Sequence, residues 1–150
     1  MSYYGKANMT RRIMLQDAAR IRELLNQLGY LVAGGFTQRR LLEMMVHPDQ
    51  ELLVYEYQKE VVGFVSLHFV PQLAFSGELA VISYLAVDQA HRGKGIGAEL
   101  EAYCTDLAKQ RECDRIQLHC AIRRKDAHRF YERQGYRESR TFFTKNLKNS

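Results

Sequence analysis

The 150-residue chain has no tryptophan, two prolines and three cysteines. Cys104, Cys113 and Cys120 are an odd set without a Cys-x-x-Cys spacing, which argues against a disulfide scaffold and against a zinc site, so no metal is expected. Cys104 and Cys120 fall on apolar faces of their segments, where a small buried residue is expected, and a reducing, cytoplasmic setting fits. No run of ~18 apolar residues occurs, so no membrane-spanning helix is expected. The first ten residues, MSYYGKANMT, lack the apolar stretch of a secretion signal. Residues 1–9 read as a disordered leader, with Met9 available as a second start. No Lys/Arg run exceeds the three of Arg123, Arg124 and Lys125. Without zinc-finger spacing either, a nucleic-acid partner is the weaker reading. There is no repeat, low-complexity tract or interior linker.

What is present describes one globular domain, residues 10–148. Apolar residues make up 46% and charged residues 26%, the proportions of a soluble fold. A chain of this length buries roughly 70% of its unfolded surface and needs no staples. The net charge is +5, and its excess lies in the second half. Residues 1–75 carry eight Lys/Arg against seven Asp/Glu, and residues 76–150 carry fourteen against ten. That asymmetry is compatible with a solvated surface or with a polyanionic ligand held by the second half.

Periodicity gives the element order β-α-α-β-β-β-α-β-α-β, with the last strand split in two. Arg11–Leu15 reads as a first strand. Asp17 is placed to cap a helix with Ala18, Ile21, Leu24, Leu25 and Leu28 on one face and Gly29 as its stop. Gly34-Gly35 breaks the chain, and Thr37 caps a second helix ended by His47-Pro48. Glu51–Tyr57 and Val61–Val70 form a hairpin about Gln58-Lys59-Glu60. Leu79–Val87, LAVISYLAV, is apolar almost throughout, as expected of a strand covered on both faces. Ile96, Leu100, Tyr103, Cys104 and Leu107 make the clearest helical stripe. Arg115–Ala121 alternates as a strand, Asp126 caps a short helix stopped by Gly135, and Tyr136–Leu147 carries two more strand segments. The expected class is α/β (α+β), a mixed sheet of six to seven strands flanked by about four helices.

The stretch His91-Arg92-Gly93-Lys94-Gly95-Ile96-Gly97-Ala98 joins the apolar strand to the amphipathic helix. Glycines let the backbone approach a ligand, a helix N-terminus offers unpaired N–H groups to an anion, and Arg92 and Lys94 add charged donors. A phosphate or pyrophosphate is the natural ligand. A Walker loop requires Lys-Ser or Lys-Thr, which are absent. Gly93-x-Gly95-x-x-Ala98 satisfies the relaxed dinucleotide fingerprint, but the following strand ends at His119-Cys120-Ala121 without the acid that would hold a ribose.

Arg92-x-x-Gly95-x-Gly97 resembles the pyrophosphate loop of the GCN5-related N-acetyltransferase (GNAT) superfamily. Leu85-Ala86-Val87 before it resembles the family's fourth strand. Ala127-His-Arg-Phe130-Tyr131-Glu-Arg-Gln-Gly135-Tyr136 after it is similar to the family's AxxFYxxxGF/Y segment. The match covers roughly residues 79–147. The tail is also similar to aminoalkylphosphonate and other small-amine N-acetyltransferases.

The resemblance implies a sheet splayed between strands four and five. It implies acetyl-CoA as cosubstrate, its arm on Leu85, Ala86 and Val87 and its pyrophosphate on Arg92, Gly93, Lys94, Gly95, Ile96, Gly97 and Ala98. It implies Tyr131 as general acid to the departing thiolate, a small-molecule amine acceptor attacking directly, and a dimer as a common assembly. Two positions depart from the family pattern. Arg124, a further candidate coenzyme contact, stands where relatives carry an arm-binding Asn, and Val81 where they carry a Glu base. Candidates for the base are Glu78, His68, His119 and a water relay through Ser83. Tyr30, Phe36, Phe75, Arg123 and Arg140 are the candidate acceptor contacts, and the cationic ones suit an acceptor with an anionic group. The other readings are a non-catalytic acyl-CoA-binding or regulatory module, and an aminoglycoside-type or protein N-acetyltransferase.

Overall fold

The structure, a computed structural model, describes residues 9–119, 125–139 and 142–148, and of Phe36 only the backbone. The chain divides into two compact units, Met1–His119 and Cys120–Ser150.

The first unit is one sheet with helices on both faces. Its strands are β1 (Thr10–Arg12), β2 (Gln50–Tyr57), β3 (Glu60–Val70), β4 (Leu79–Val87) and β5 (Arg115–Leu118), paired in that order. β1 to β4 run antiparallel and β5 lies parallel to β4. Helices α1 (Ala18–Gln27) and α2 (Gly34–Met45) follow β1, and α3 (Ile96–Gln110) is the crossover from β4 to β5. Period-two alternation sends the sheet's apolar residues to two cores. Leu53, Val65, Leu67 and Ile82 pack with Ile96, Leu100 and Cys104 of α3. Leu52, Val54 and Phe64 pack with Ile21, Leu24 and Leu41 of α1 and α2. Side chains buried to this degree contribute about 1.5–3 kcal/mol each. α3 sits close because β3 has Gly63 beneath it: a Cβ there would meet the Ala86 carbonyl, Ile96 and Leu100, each at 3.2 Å. No helix among the described residues is long and apolar enough to cross a membrane.

Several expectations are corrected. The sheet of the described residues has five strands, not six to seven. Residues 136–139 and 142–147 join no ladder, and Phe142 and Phe143 are exposed instead of anchoring one face. β1 is three residues long. Asp17 makes no side-chain cap to α1. It ends a one-turn 3₁₀ helix, Leu15–Asp17, where its buried carboxylate takes the Met14 N–H at 2.8 Å and two Arg11 bonds at 2.9 and 3.0 Å. Burial works to raise this carboxyl, and the Arg11 and Met14 hydrogen bonds outweigh it, leaving it below its ordinary value. α2 begins at Gly34, three residues before Thr37. First-turn N–H groups need no intrahelical acceptor, so glycine is tolerated there, and Thr37 is buried with its hydroxyl on the Ala33 carbonyl at 3.3 Å. The hairpin turn is the two residues Gln58 and Lys59, with φ of 51° and 64°; the pairing Tyr57↔Glu60 closes it.

The second unit contains α4 (Lys125–Arg133). Asp126 lies inside its first turn, 3.4 Å from Arg129, and not ahead of it. Gly135, at φ +96°, follows its end.

Candidate active site

β4 is covered on both faces except at the exposed Ser83 and Tyr84, but it is not paired along both edges over its whole length. Its first half, Leu79–Ile82, is paired to Arg115–Leu118 of β5, and the pairing stops there. Its second half, Ser83–Val87, has β3 on one side and no strand on the other among the described residues. The change coincides with a bulge: Ser66 faces Tyr84 and Leu67 faces Ile82, so Ser83 is the extra residue. The bulge reverses the alternation of faces. Ala80 and Ile82 point to the α3 core before it, and Leu85 and Val87 do so after it. Ala86 joins the α1–α2 core. Ser83 and Tyr84, between the two registers, are exposed.

Backbone directions on the open edge follow from the antiparallel pattern. The Asp88 N–H bonds to the Val62 carbonyl at 2.8 Å, so the facing residues Gly63 and Val87 are a non-hydrogen-bonded pair, and so are Val65 and Leu85. The N–H and C=O of Leu85 and of Val87 therefore point out of the sheet edge. Those of Ala86 point back to Phe64. Of the three residues expected to hold an extended arm, two offer main-chain groups and the third supplies packing.

The turn after β4 leads from this edge to a helix end. Gly93 and Gly95 both have positive φ, 80° and 83°. Gly95 is the residue preceding α3 and brings no capping side chain. The first intrahelical bond is from the Glu99 N–H to the Gly95 carbonyl at 3.1 Å, which leaves the N–H groups of Ile96, Gly97 and Ala98 without helical acceptors. Arg92 Nε donates to the Val87 carbonyl at 3.2 Å. Neither Arg92 nor Lys94 is paired with a carboxylate among the described residues. An open helix end with two unneutralised cations favours an anion from outside.

A polar cluster missed by the sequence reading holds this turn. Asp88 accepts from Gln27 at 2.9 Å and lies 3.1 Å from both Arg20 and His91 Nδ1. The Gln27 hydrogen bond, with His91 and Arg20, keeps the Asp88 carboxyl below its ordinary value against its partial burial. Arg20 also donates to the Val61 carbonyl at 2.7 Å and pairs with Glu60 at 3.0 Å. Gln27 and Asp88 are 61 positions apart, so no local pattern could have joined them.

The α1–α2 face of the open edge carries hydroxyls and an imidazole. Ser83 Oγ is 3.1 Å from His68 Nδ1, and burial lowers the His68 imidazole from its ordinary value. Tyr84 meets Tyr30, from the α1–α2 connection, edge to face at 5.5 Å between ring centres. The expected acceptor residue Tyr30 thus has a partner that the uninterrupted apolar run had hidden.

Other expected residues lie elsewhere. Glu78 is held by Arg111, with Nε at 2.6 Å, and Arg111 also pairs with Asp49. These bonds raise the Arg111 guanidinium, the Glu78 hydrogen bond contributing most. As the residue before β4, Glu78 is about 16 Å of extended chain from Ser83, and its carboxylate is engaged by Arg111. Phe75 carries the Arg115 guanidinium over its ring at 4.3 Å. His119 follows β5 at the end of the first unit. Arg123, Arg124, Arg140 and Cys120 lie outside the described residues, as does the Phe36 side chain. In the second unit, Tyr131 packs edgewise on Phe130 and Tyr136, at 5.1 and 5.9 Å between centres. Its carbonyl accepts the N–H groups of Gln134 and Tyr136, both at 3.0 Å.

A family model described as the acetyltransferase (GNAT) family matches residues 18–136. An aminoalkylphosphonate N-acetyltransferase of Salmonella typhimurium strain LT2 is 38% identical over 130 residues, covering 86% of this chain and 82% of that protein. Among solved structures, one described as a transcriptional regulator from Bacillus halodurans C-125 superposes with a TM-score of 0.82 at 27% identity. It covers 92% of this chain and 98% of its own. A glucosamine-6-phosphate N-acetyltransferase from Arabidopsis thaliana superposes at 0.79 with 23% identity, over 93% and 97% of the two chains.

Proposed function

The chain belongs to the acetyltransferase (GNAT) family, and from that premise we propose that it transfers acetyl from acetyl-CoA to the primary amine of a small molecule bearing an anionic group. The observation that carries the reading is the continuity of the open β4 edge with the uncapped, cationic start of α3. An extended amide-bearing arm fits the main-chain N–H and C=O of Leu85 and the N–H of Val87, whose carbonyl accepts from Arg92. A pyrophosphate fits the N–H groups of Ile96, Gly97 and Ala98 together with Arg92 and Lys94. Acetyl-CoA supplies, when bound, a thioester carbonyl open to attack.

The residues of this chain have three tasks. The edge and the turn hold the donor along β4 so that its reactive end lies toward Ser83. Outward N–H groups of β4 favour the carbonyl oxygen as negative charge develops on it. Tyr131 gives its proton to the leaving sulfur: a phenol of pKa near ~10 is protonated at neutral pH, and a thiolate of pKa near ~8.5 is stabilised by receiving that proton. Residues 10–148 act as one domain in this scheme, since the family match runs across both units.

The anionic acceptor is supported by the relative named for aminoalkylphosphonates and by Arg123, Arg124 and Arg140 in the sequence. The test is release of free thiol from acetyl-CoA across aminoalkylphosphonates, neutral alkylamines and aminoglycosides. The expected order puts the phosphonates first. Fast acetylation of aminoglycosides with none of phosphonates would overturn the acceptor class. Acetyl-CoA binding without thiol release on any amine would leave a binding module.

A further inference from the structure

Ser83 is the bulge residue of β4, at the point where β5 departs, and its hydroxyl touches the His68 ring. On the acetyl-transfer reading, we infer that His68, acting through the Ser83 hydroxyl, accepts the proton that the acceptor's ammonium group must lose before it can attack.

The placement follows from the sheet. A donor anchored by its phosphates at α3 and laid back along the β4 edge extends from Val87 toward Ser83, about 13 Å away along the strand. Its acyl end therefore arrives at the bulge. Ser83 is exposed there and Tyr84 beside it meets Tyr30, so an amine entering from the α1–α2 side encounters the Ser83 hydroxyl. His68 is more enclosed than Ser83. Its register partners are Gln50 on β2 and Val81 on β4, and neither ionises. Burial is the cause of its lowered pKa, with no charged neighbour contributing, so the ring is neutral near pH 7 and free to take a proton. The carboxylate nearest in sequence, Glu78, is held by Arg111.

The step balances without a further reagent. In the His68 tautomer protonated at Nε2, the Ser83 hydroxyl donates to Nδ1. As the ammonium N–H bond breaks, its proton passes to Ser83 Oγ and the Ser83 proton passes to Nδ1, leaving a neutral amine and an imidazolium. The amine lone pair forms the N–C bond, the C–S bond breaks as Tyr131 protonates the departing sulfur, and the nitrogen's second proton leaves to solvent, from which Tyr131 is reprotonated. His68 returns its proton to solvent, so one proton is released per acetyl group transferred.

The inference rests on the proposed activity, and the experiment separates the two. Turnover of the best amine is measured against pH for the wild-type protein, His68→Gln and Ser83→Ala, with acetyl-CoA affinity and melting temperature measured alongside. The wild-type rate is expected to fall on the acid side with an apparent pKa below ~6.5. His68→Gln is expected to lose that limb and about 100-fold in kcat, with acetyl-CoA affinity within about twofold. Ser83→Ala, on an exposed position, is expected to fold and to lose about 10-fold in kcat. It keeps the test decisive if His68→Gln is unstable. A His68→Gln enzyme with unchanged kcat and an intact acid limb overturns the inference, as does an unchanged Ser83→Ala. No turnover of any amine by the wild-type protein overturns the acetyl-transfer reading itself.

Discussion

Gln27 closes both sides of the junction at Asp88. Its side-chain nitrogen donates to Asp88 Oδ1 at 2.9 Å, and its side-chain oxygen accepts the next residue's N–H, that of Gln89, at 3.0 Å. The last residue of α1 thereby fixes the direction in which the chain leaves β4 for the glycine turn. Gln27→Ala removes two hydrogen bonds, one of them to a charged group, each worth about 0.5–3 kcal/mol. The expected result is a melting temperature lower by a few degrees and acetyl-CoA affinity weaker by about 3- to 10-fold, with kcat at saturating donor nearly unchanged. Calorimetric titration with coenzyme A and thermal melting check it.

Asp88 gives this clamp a pH dependence whose sign is set by its lowered pKa. A carboxyl depressed on folding contributes stability that is present above its unfolded pKa of about 3.9 and is lost as pH falls through the lower folded value. Melting temperature measured from pH 7 down to pH 3 is expected to drop more steeply below about pH 4 in the wild-type protein than in Asp88→Asn. The variant starts lower at pH 7. Parallel curves would mean that Asp88 does not stabilise the turn through its charge.

Tyr131→Phe keeps the ring packing on Phe130 and Tyr136 and removes only the hydroxyl. On the proposed role, kcat falls by about 100-fold while coenzyme A affinity and melting temperature stay close to the wild-type values. Steady-state kinetics with a small amine, alongside titration with coenzyme A, distinguish this from a packing role, for which kcat would not change.

Glu78→Gln weakens the ion-pair group of Glu78, Arg111 and Asp49, which is partly exposed. Its expected cost is about 1 kcal/mol or less, seen as a small shift in urea midpoint. The acid limb of the rate profile is expected to persist. Its disappearance would return Glu78 to the role of base.

The elements with strong periodicity were legible from the residues alone. The stripe from Ile96 to Leu107 gave α3, the run LAVISYLAV gave β4 with its observed bounds, and Arg92–Gly97 gave the glycine turn that leads into the start of α3. Of the expected strand Arg115–Ala121, Arg115–Leu118 is paired and His119 is not, while Cys120 and Ala121 lie outside the described residues. What escaped was whatever depends on partners distant in sequence. LAVISYLAV shows no hydrophobic period that reveals a bulge at Ser83 or an edge left unpaired beyond it. Asp17 has the sequence context of a helix cap, but Arg11 captures it. Glu78 is an acid near the right strand, but Arg111 holds it. Two final strand segments were expected within Tyr136–Leu147, and no ladder forms there among the described residues.

Short motifs therefore carried the resemblance to the family, and local pattern carried the helix stripes and the glycine turn that suits a pyrophosphate, because these are written in residues a few positions apart. Tertiary structure decided which groups meet. The β3–β4 register places Ser83 against His68, 15 positions away, and brings Tyr84 to Tyr30. The end of β5 pairing leaves the Leu85 main chain and the Val87 N–H facing out of the sheet edge, while Arg92 takes the Val87 carbonyl. Those contacts follow from sheet register and strand length, which are set by packing across the whole fold and leave no periodic mark in the chain.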